Sequence, residues 1–319
     1  MKTISIVNPC YNEESNVLEV YRRVKEVFAK LKDYDYEQIF IDNCSKDDTV
    51  KILREIAAQD KRIKVIVNSR NYGHIRSPFH GLLQAKGDAA ILLVSDLQDP
   101  PEMIADFIAK WESGFKIVVG VKKQSGETKS MFFIRKAFYR FINKISEIEL
   151  TENFTGFGLY DKRIIEVLRT IDDPYPYFRG LICDIGFERA EIEYFQPTRK
   201  RGITKNNFYT LYDMAMLGIT NYSKLPLRIA TIIGFILSVL SILVSFVYLI
   251  LKLVFWQSIP FGFAPIIIGL FFFGSVQLFF TGILGEYIGS IYTQVLKRPL
   301  VIEKERINFD EAKVESNKG

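Results

Sequence analysis

The chain has 319 residues, of which 48% are hydrophobic and 25% are charged, and its formal net charge is +5. This length provides for one catalytic domain and a smaller element. The mild positive charge, without a long stripe of alternating basic and aromatic residues, argues against nucleic acid as a partner and suits an anionic membrane surface or phosphorylated substrates. The three cysteines lie far apart without metal-ligand spacing, which is typical of reduced structural thiols in a cytosolic domain.

Short apolar runs alternate with amphipathic stretches through the first part of the chain. The predicted strands are Thr3–Val7, Gln38–Ile41, Ile63–Val67, Ala89–Val94 and Lys116–Val121. The predicted helices between them are Glu14–Leu31, Asp48–Ala58, Arg76–Ala85 and Pro101–Trp111. This alternation predicts βαβ units and an α/β domain with a mostly parallel sheet.

Polar clusters follow four of the predicted strands, at Asn12–Glu14, Asp42–Asp48, Arg70–Gly73 and Asp96–Asp99. Because ligands of such sheets bind at the carboxyl ends of the strands, we expect the four clusters to converge on one crevice. Basic residues cluster further along the chain, in the loop 122–129, on a predicted helix Met131–Ile148, and at 199–205.

Two long apolar segments lie in the last third of the chain. Ile229–Leu251 and Phe261–Gly285 contain no charged residue, and each exceeds the roughly 20 residues needed to cross a bilayer. Two buried core helices are the alternative, which is disfavoured because no other large domain is present to bury them. Basic residues before the first segment and after the second, Lys224, Arg228, Lys297 and Arg298, place both ends in the cytoplasm, and Lys252 is a weak counter-signal.

The segment Phe208–Tyr222 has helical apolar spacing and precedes the first span. It is either a helix lying in the membrane interface or an ordinary core-facing helix, and the sequence favours neither. The charged tail from Val301 is expected to be mobile. We therefore divide the chain into a catalytic domain at 1–205, a juxtamembrane amphipathic helix at 206–227, a two-helix membrane hairpin at 228–296 and a cytoplasmic tail at 297–319.

The segment Asp96-Leu97-Gln98-Asp99-Pro100-Pro101-Glu102 is rich in carboxylates. Asp96 at the end of a buried strand, with Gln98 two residues on, offers hard oxygen ligands for Mg²⁺ or Mn²⁺, which would neutralise a leaving diphosphate. The alternative is an aspartate that caps the helix at Pro101, and this role fits Asp99 better than Asp96.

The order of the motifs resembles the inverting family-two glycosyltransferases, and most closely their polyprenyl-phosphate glycosyltransferases, such as bactoprenol glucosyltransferase and dolichol-phosphate mannose synthase. The matching segments cover nearly the whole chain: residues 7–14, the Asp42…Ser45…Asp47…Thr49 segment, Arg70–Gly73, Gly87-Asp88, residues 96–102, Arg199-x-x-Gly202-x-Thr204-Lys205, Pro226–Arg228, Leu284–Gly289 and Lys297–Pro299. No single motif is decisive, but their order together with two spans is highly specific.

The resemblance implies a GT-A fold, which is Rossmann-like, and transfer of a single sugar from a UDP- or GDP-sugar to polyprenyl phosphate at the cytoplasmic face of a bacterial inner membrane. The product would serve modification of cell-envelope glycans, and homo-oligomers are known among relatives. The roles that it implies are a base contact from Asp42, a nucleotide pocket from Pro9, Asn12, Glu14 and Arg70, a metal site from Asp96 and Gln98, acceptor-phosphate contacts from Lys122, Arg135 and Tyr139, and clamping of phosphates by Arg199 and Lys205.

Three departures from the family pattern bear on the mechanism. Val94 stands where the usual metal motif has a second aspartate, which makes the metal site poorer in carboxylates. Gly156 and Gly158 stand where many relatives have an Asp, proposed as catalytic base, and an Arg. Asn43-Cys44 replaces the common Asp-Gly.

Two alternative functions remain open on the sequence. A processive polysaccharide synthase is disfavoured because two spans do not form a polymer channel alone and no Gln-x-x-Arg-Trp motif is present. A catalytically inactive polyprenyl-phosphate binding or scaffold protein is favoured by Val94, Gly156 and Gly158, and is opposed by the retained Asp42, Asp96, Arg199 and Lys205.

Overall fold

The computed structural model describes residues 1–123, 148, 150–196, 208–255 and 262–309. The chain divides into two compact units. The first comprises Met1–Tyr139, Ile148–Asn206 and Leu296–Gly319, and the second comprises Arg140–Glu147 and Asn207–Val295.

Strands and helices of the first unit follow in this order, numbered along the described residues. The strands are β1 (Lys2–Cys10), β2 (Tyr34–Asp42), β3 (Ile63–Asn68), β4 (Ala89–Leu92), β5 (Ile117–Lys122), β6 (Phe154–Asp161), β7 (Arg189–Tyr194) and β8 (Glu303–Ile307). The helices are α1 (Val17–Lys30), α2 (Thr49–Gln59), α3 (Gly73–Leu83), α4 (Ile104–Glu112), α5 (Lys162–Thr170) and α6 (Phe178–Asp184). The five predicted strands and the four helices predicted between them are confirmed, with shifts of a few residues at their ends. The further helix predicted at Met131–Ile148 lies outside the described residues, apart from Ile148.

The eight described strands form one sheet in the order β7-β5-β6-β4-β1-β2-β3-β8. The pairs β1–β2, β1–β4, β2–β3 and β5–β7 are parallel, and β6 is antiparallel to both β4 and β5. Because β6 reverses between them, β5 and β7 run in the same direction as β4. The carboxyl ends of β1 to β5 and of β7 therefore share one edge of the sheet, which we call the carboxyl edge.

Helices cover both faces of this sheet, as the near-continuous apolar strands require. One face packs against α1, α2 and α4, with Val24, Leu53 and Phe107 fully buried. The other face packs against α3, α5 and α6 around Phe79 and Leu168. The α/β architecture with a mostly parallel sheet is confirmed.

The charged tail is ordered where we expected mobility. Glu303–Ile307 forms β8, which pairs antiparallel with the edge strand β3. The expectation of a mobile tail is therefore wrong for this segment, because its backbone completes a sheet edge whose N–H and C=O groups would otherwise be unpaired.

The second unit contains α7 (Phe208–Tyr222), α8 (Leu225–Val254) and α9 (Phe263–Val295). Among the described residues, two helices are long and apolar enough to cross a membrane, through Leu225–Tyr248 and Gly269–Val295, and their most apolar stretches are not buried within the chain. Inside this unit the Tyr287 hydroxyl donates to the Ser223 carbonyl at 2.5 Å. The predicted helix at Phe208–Tyr222 is confirmed, and its place in the membrane interface stays a prediction.

Candidate active site

The loops after β1 and β2 bind each other reciprocally at the carboxyl edge. The backbone N–H of Asn12 donates to Ser45 Oγ at 2.8 Å, and Asn12 Oδ1 accepts from the backbone N–H of Lys46 at 2.8 Å. Glu14 Oε2 accepts from the backbone N–H of Asp48 at 2.9 Å. Asn12 takes a left-handed conformation with φ of 56°, which asparagine tolerates better than most residues. Asn12 and Glu14, which we predicted to line the nucleotide pocket, thus bind the loop after β1 to the loop after β2.

Asp42, the last residue of β2, is completely buried and faces Cys10 across the strand pair. Its Oδ2 accepts from the backbone N–H of Ser45 at 2.9 Å, and its Oδ1 accepts from the Ser45 hydroxyl. Burial raises the pKa of Asp42, and the hydrogen bonds from Ser45 partly oppose that rise. The carboxylate therefore shapes the loop directly, while its contact with a nucleotide base stays a prediction.

Pro9 on β1 lies beside the loop after β4. Its backbone carbonyl accepts a hydrogen bond of 3.3 Å from the backbone N–H of Ser95, next to the carboxylate segment.

Asn43 joins the loop after β2 to the loop after β3. Its Nδ2 donates to Asn71 Oδ1 and to the Gly73 carbonyl, both at 3.0 Å. Its Oδ1 accepts from the backbone N–H of Tyr72 at 2.8 Å and from Asn68 Nδ2 at 3.3 Å. The sequence shows Asn43 only as a departure from the family pattern. In the structure its side-chain amide donates two hydrogen bonds and accepts two.

Arg70 is exposed at the carboxyl edge, with its guanidinium carbon 4.1 Å from the ring centroid of Tyr72. The Arg70 Nη1 donates to the Asn71 carbonyl at 3.2 Å. Tyr72 is buried, and the guanidinium carbon of Arg76 lies 5.0 Å from the same ring centroid. The position of the Arg70 guanidinium group is therefore set by its contacts with the Tyr72 ring and the Asn71 carbonyl.

Asp96 and Gln98 lie in the loop after β4, where Asp96 is 9% exposed and its Oδ1 accepts from the backbone N–H of Gln98 at 3.1 Å. Val94, at the position of the missing aspartate, is partly exposed. In the described part of the chain, no group of three or more His, Cys, Asp or Glu side chains is arranged to hold a metal ion. One carboxylate and one amide oxygen nevertheless fit Mg²⁺ or Mn²⁺, which bind through few protein ligands when a substrate diphosphate supplies the others.

Asp99 is a residue that the sequence reasoning did not assign to the site. It is 5% exposed, and its Oδ1 accepts a hydrogen bond of 2.6 Å from the hydroxyl of Tyr194, the last residue of β7. Burial and the charge of Asp96 raise the pKa of Asp99 to about 6, against the effect of Tyr194. The helix-capping alternative is wrong, because the single 3-10 turn Pro101–Met103 before α4 is preceded by Pro100 and has no side-chain cap.

Lys122 ends β5 on the same side of the sheet. Its charge lowers the pKa of Asp99, so the ammonium group lies within electrostatic range of this carboxyl. The carboxyl edge thus joins predicted donor, metal and acceptor residues in one unit. Four further predicted residues, Arg135, Tyr139, Arg199 and Lys205, lie outside the described residues.

Gly156 and Gly158 lie on β6, next to this edge. Gly156 has a φ of 103°, a left-handed conformation that disfavours any side chain. A Cβ on Gly158 would lie 2.4 Å from the Val118 carbonyl oxygen and 3.1 Å from the Val119 Cα. The backbone of β6 is therefore built for glycine at both positions, and the Asp and Arg of relatives do not fit it without rearrangement.

The chain also matches known proteins. Residues 5–169 match the profile described as Glycosyl transferase family 2. The chain is 36% identical over 310 residues to an uncharacterized glycosyltransferase, YkcC, of Bacillus subtilis (strain 168), covering 96% of this chain and 94% of that protein. It is 36% identical over 305 residues to the SfII prophage-derived bactoprenol glucosyl transferase of Shigella flexneri, covering 95% and 97%. Among solved structures, glucosyl-3-phosphoglycerate synthase from Mycobacterium tuberculosis in complex with phosphoglyceric acid aligns with 18% identity over 69% of this chain and 78% of that chain, at a TM-score of 0.48.

Proposed function

Because the chain belongs to glycosyl transferase family 2 and is a glycosyltransferase, we propose that it transfers one sugar from a nucleotide-sugar to polyprenyl phosphate. The donor is a UDP-sugar in preference to a GDP-sugar, and the anomeric configuration is inverted. The reaction takes place at the cytoplasmic face of a bacterial inner membrane, with both termini in the cytoplasm. The observation that carries the proposal is the 36% identity to a bactoprenol glucosyl transferase over 95% of this chain, a length that includes both apolar helices.

The acceptor explains why a sugar-transferring domain is followed by two long apolar helices. A polyprenyl chain stays in the bilayer, and only its phosphate reaches the aqueous phase. An enzyme anchored beside that phosphate searches a surface instead of a volume, which lowers the entropic cost of bringing donor and acceptor together.

The acceptor phosphate also explains how transfer proceeds without the family's aspartate at Gly156. A phosphomonoester has a second pKa of about 6, so it is largely ionised near neutral pH and already carries a nucleophilic oxygen. Attack on the anomeric carbon then depends on orientation and on stabilisation of the leaving diphosphate rather than on a strong base. We assign this positioning to Lys122, Arg135 and Tyr139 for the acceptor, and to Arg199 and Lys205 for the phosphates.

On the donor side, Pro9, Asn12, Glu14, Asp42 and Arg70 form the nucleotide pocket. Asp96 and Gln98 hold Mg²⁺ or Mn²⁺, which supplies positive charge for the leaving diphosphate when bound.

A transfer assay in detergent tests the proposal. Undecaprenyl phosphate is mixed with a panel of radiolabelled UDP- and GDP-sugars, with Mg²⁺, Mn²⁺ or EDTA, and label is measured in the lipid phase. We expect label from one donor, loss of label with EDTA, and a fall of about a hundredfold or more in Asp96→Asn, because the leaving group then loses its charge stabilisation. Asp106→Asn, an exposed carboxylate on α4, is the matched control. No transfer with any donor, despite binding of the lipid phosphate, would favour the scaffold function.

A further inference from the structure

The segment Pro299–Ile307, which we call the C-terminal strap, runs from just after α9 along the edge of β3. Its strand β8 pairs with β3, and the Ile302 carbonyl accepts from the backbone N–H of Ser69 at 2.9 Å. Arg76 on α3 donates from Nε to the Leu300 carbonyl at 2.8 Å and from Nη2 to the Pro299 carbonyl at 2.6 Å. The strap therefore binds the loop after β3 and the first turn of α3 together.

Tyr72 connects the strap to Arg70. The Tyr72 side chain is 7% exposed, and its hydroxyl lies 3.1 Å from Ser69 Oγ. Arg76, fixed at its far end by the strap carbonyls, has its guanidinium carbon 5.0 Å from the ring centroid, and Arg70 lies at 4.1 Å from that centroid. One buried ring thus carries both guanidinium groups, of which one is tied to the strap and the other, that of Arg70, belongs to an exposed residue at the carboxyl edge.

Bringing two guanidinium groups to one ring has an electrostatic consequence. Burial lowers the pKa of Arg76, and the positive charges of Arg70 and Arg298 lower it further. Like charges held this close repel each other unless hydrogen bonds fix them, and an anion bound at Arg70 would relieve the repulsion. The geometry suits recognition of a negatively charged donor.

We propose that Arg76 is a positioning residue for the sugar donor, acting through Tyr72 on Arg70, with the C-terminal strap as its anchor. This inference rests on the proposed function, in which Arg70 is part of the nucleotide pocket. Arginine is required at this position because its planar group stacks on the ring and donates to two carbonyls at the same time, which lysine cannot do.

The test compares two arginines that both bind the strap. Arg76→Lys keeps the charge but loses the paired contacts. Arg54→Lys is the matched control, since Arg54 on α2 makes a corresponding two-point contact with the Glu305 carboxylate on β8, at 3.2 and 2.6 Å. The affinity of each full-length variant for UDP is measured by isothermal titration calorimetry in detergent, together with kcat and both KM values in the transfer assay.

We expect Arg76→Lys to raise the Kd for UDP and the donor KM by roughly fivefold to tenfold, the equivalent of one weakened charged hydrogen bond. The kcat and the KM for undecaprenyl phosphate should change less than twofold, and Arg54→Lys should leave the Kd for UDP within twofold of wild type. In an Arg70→Ala background, Arg76→Lys should add no further loss, because residues acting through one another are not additive.

Three results would overturn the inference. Arg76→Lys and Arg54→Lys could change the Kd for UDP equally, which would indicate general loosening of the strap. The losses of Arg70→Ala and Arg76→Lys could simply add. Wild type could bind neither UDP nor GDP, which would contradict the donor pocket as well, whereas binding of UDP without sugar transfer would contradict only the proposed function and leave the comparison of Kd values in force.

Discussion

The Tyr194 hydroxyl donates a hydrogen bond of 2.6 Å to Asp99 Oδ1 and joins the end of β7 to the loop after β4. Both partners are buried, and the ring of Tyr194 also packs edge-on against Phe157 of β6, with ring centroids 5.4 Å apart. The same contact therefore ties the carboxylate segment to the strand that carries the two glycines.

Removing the Tyr194 hydroxyl should leave Asp99 buried without this donor. We expect Tyr194→Phe to lower the free energy of unfolding of the full chain by about 1–3 kcal/mol, the usual cost of orphaning a buried acceptor. The measurement is a thermal melt in detergent. Tyr34→Phe is the control, because its hydroxyl donates to Glu112 at 2.8 Å at the surface, and equal losses in the two variants would contradict the account.

The glycine at position 158 should not accept even a methyl group. Gly158→Ala places a Cβ 2.4 Å from a backbone carbonyl of the neighbouring strand, so the strands must separate. We expect a loss of stability of about 1–3 kcal/mol or more, the range typical of overpacking. Gly234→Ala on α8, where a Cβ meets no atom within 4 Å, should not lower the melting temperature, because alanine is the better helix former. A Gly158→Ala protein as stable as wild type would contradict the close approach of β5 to β6 at this position.

Restoring the common residues Asp and Gly in the loop after β2 should change stability strongly at Asn43 and little at Cys44. Asn43→Asp replaces a donor with a carboxylate oxygen 3.0 Å from both Asn71 Oδ1 and the Gly73 carbonyl, and we expect it to cost about 1–3 kcal/mol. Cys44 has a φ of 64°, where a glycine is unstrained, so Cys44→Gly should change stability by less than about 1 kcal/mol. Urea unfolding of both variants checks the pair, and a neutral Asn43→Asp would contradict the network.

Docking of the C-terminal strap should weaken in acid. Although burial raises the pKa of Glu303, hydrogen bonds from His80, at 2.6 Å, and from Arg306 outweigh it and lower that pKa to about 2. A carboxyl with a lowered pKa stabilises the fold fully above its unfolded pKa of about 4.3, and this contribution is lost as the pH falls towards 2.

Glu303→Gln removes this contribution. We expect the free energy of unfolding of wild type to exceed that of the variant by on the order of 2 kcal/mol at pH 7, after allowance for partial exposure. This difference should shrink below about pH 4.3. Glu305→Gln, whose ion pair with Arg54 is more exposed, should show a smaller difference. A difference between wild type and Glu303→Gln that is independent of pH down to pH 3 would show that charge at Glu303 does not hold the strap.

The elements with strong periodicity were the ones that the sequence predicted. Alternation of apolar runs and amphipathic stretches located the first five strands, and the convergence of their polar loops is confirmed by contacts such as the Asn12–Ser45 hydrogen bond. Local patterns were enough there because parallel strands must end on a common edge.

The remaining elements depended on tertiary contacts. Strand β6 contains two glycines, which argue against a strand when read locally, and its packing against Phe107 and Tyr194 is visible only in three dimensions. Strand β8 consists of alternating charges at Glu303–Ile307 and is ordered by partners on β3, α2 and α3. Asp99 was overlooked because a carboxylate before Pro100-Pro101 also reads as a helix cap.

The central claim is transfer of a single sugar to a polyprenyl phosphate, and mass spectrometry of the lipid product tests it most directly. Purified full-length protein is incubated with undecaprenyl phosphate, the donor identified in the assay and Mg²⁺ or Mn²⁺. The account predicts a lipid heavier by one sugar residue, with the sugar on the phosphate in the anomeric configuration opposite to that of the donor. A lipid carrying a longer glycan, or release of free sugar with the lipid unchanged, would contradict it.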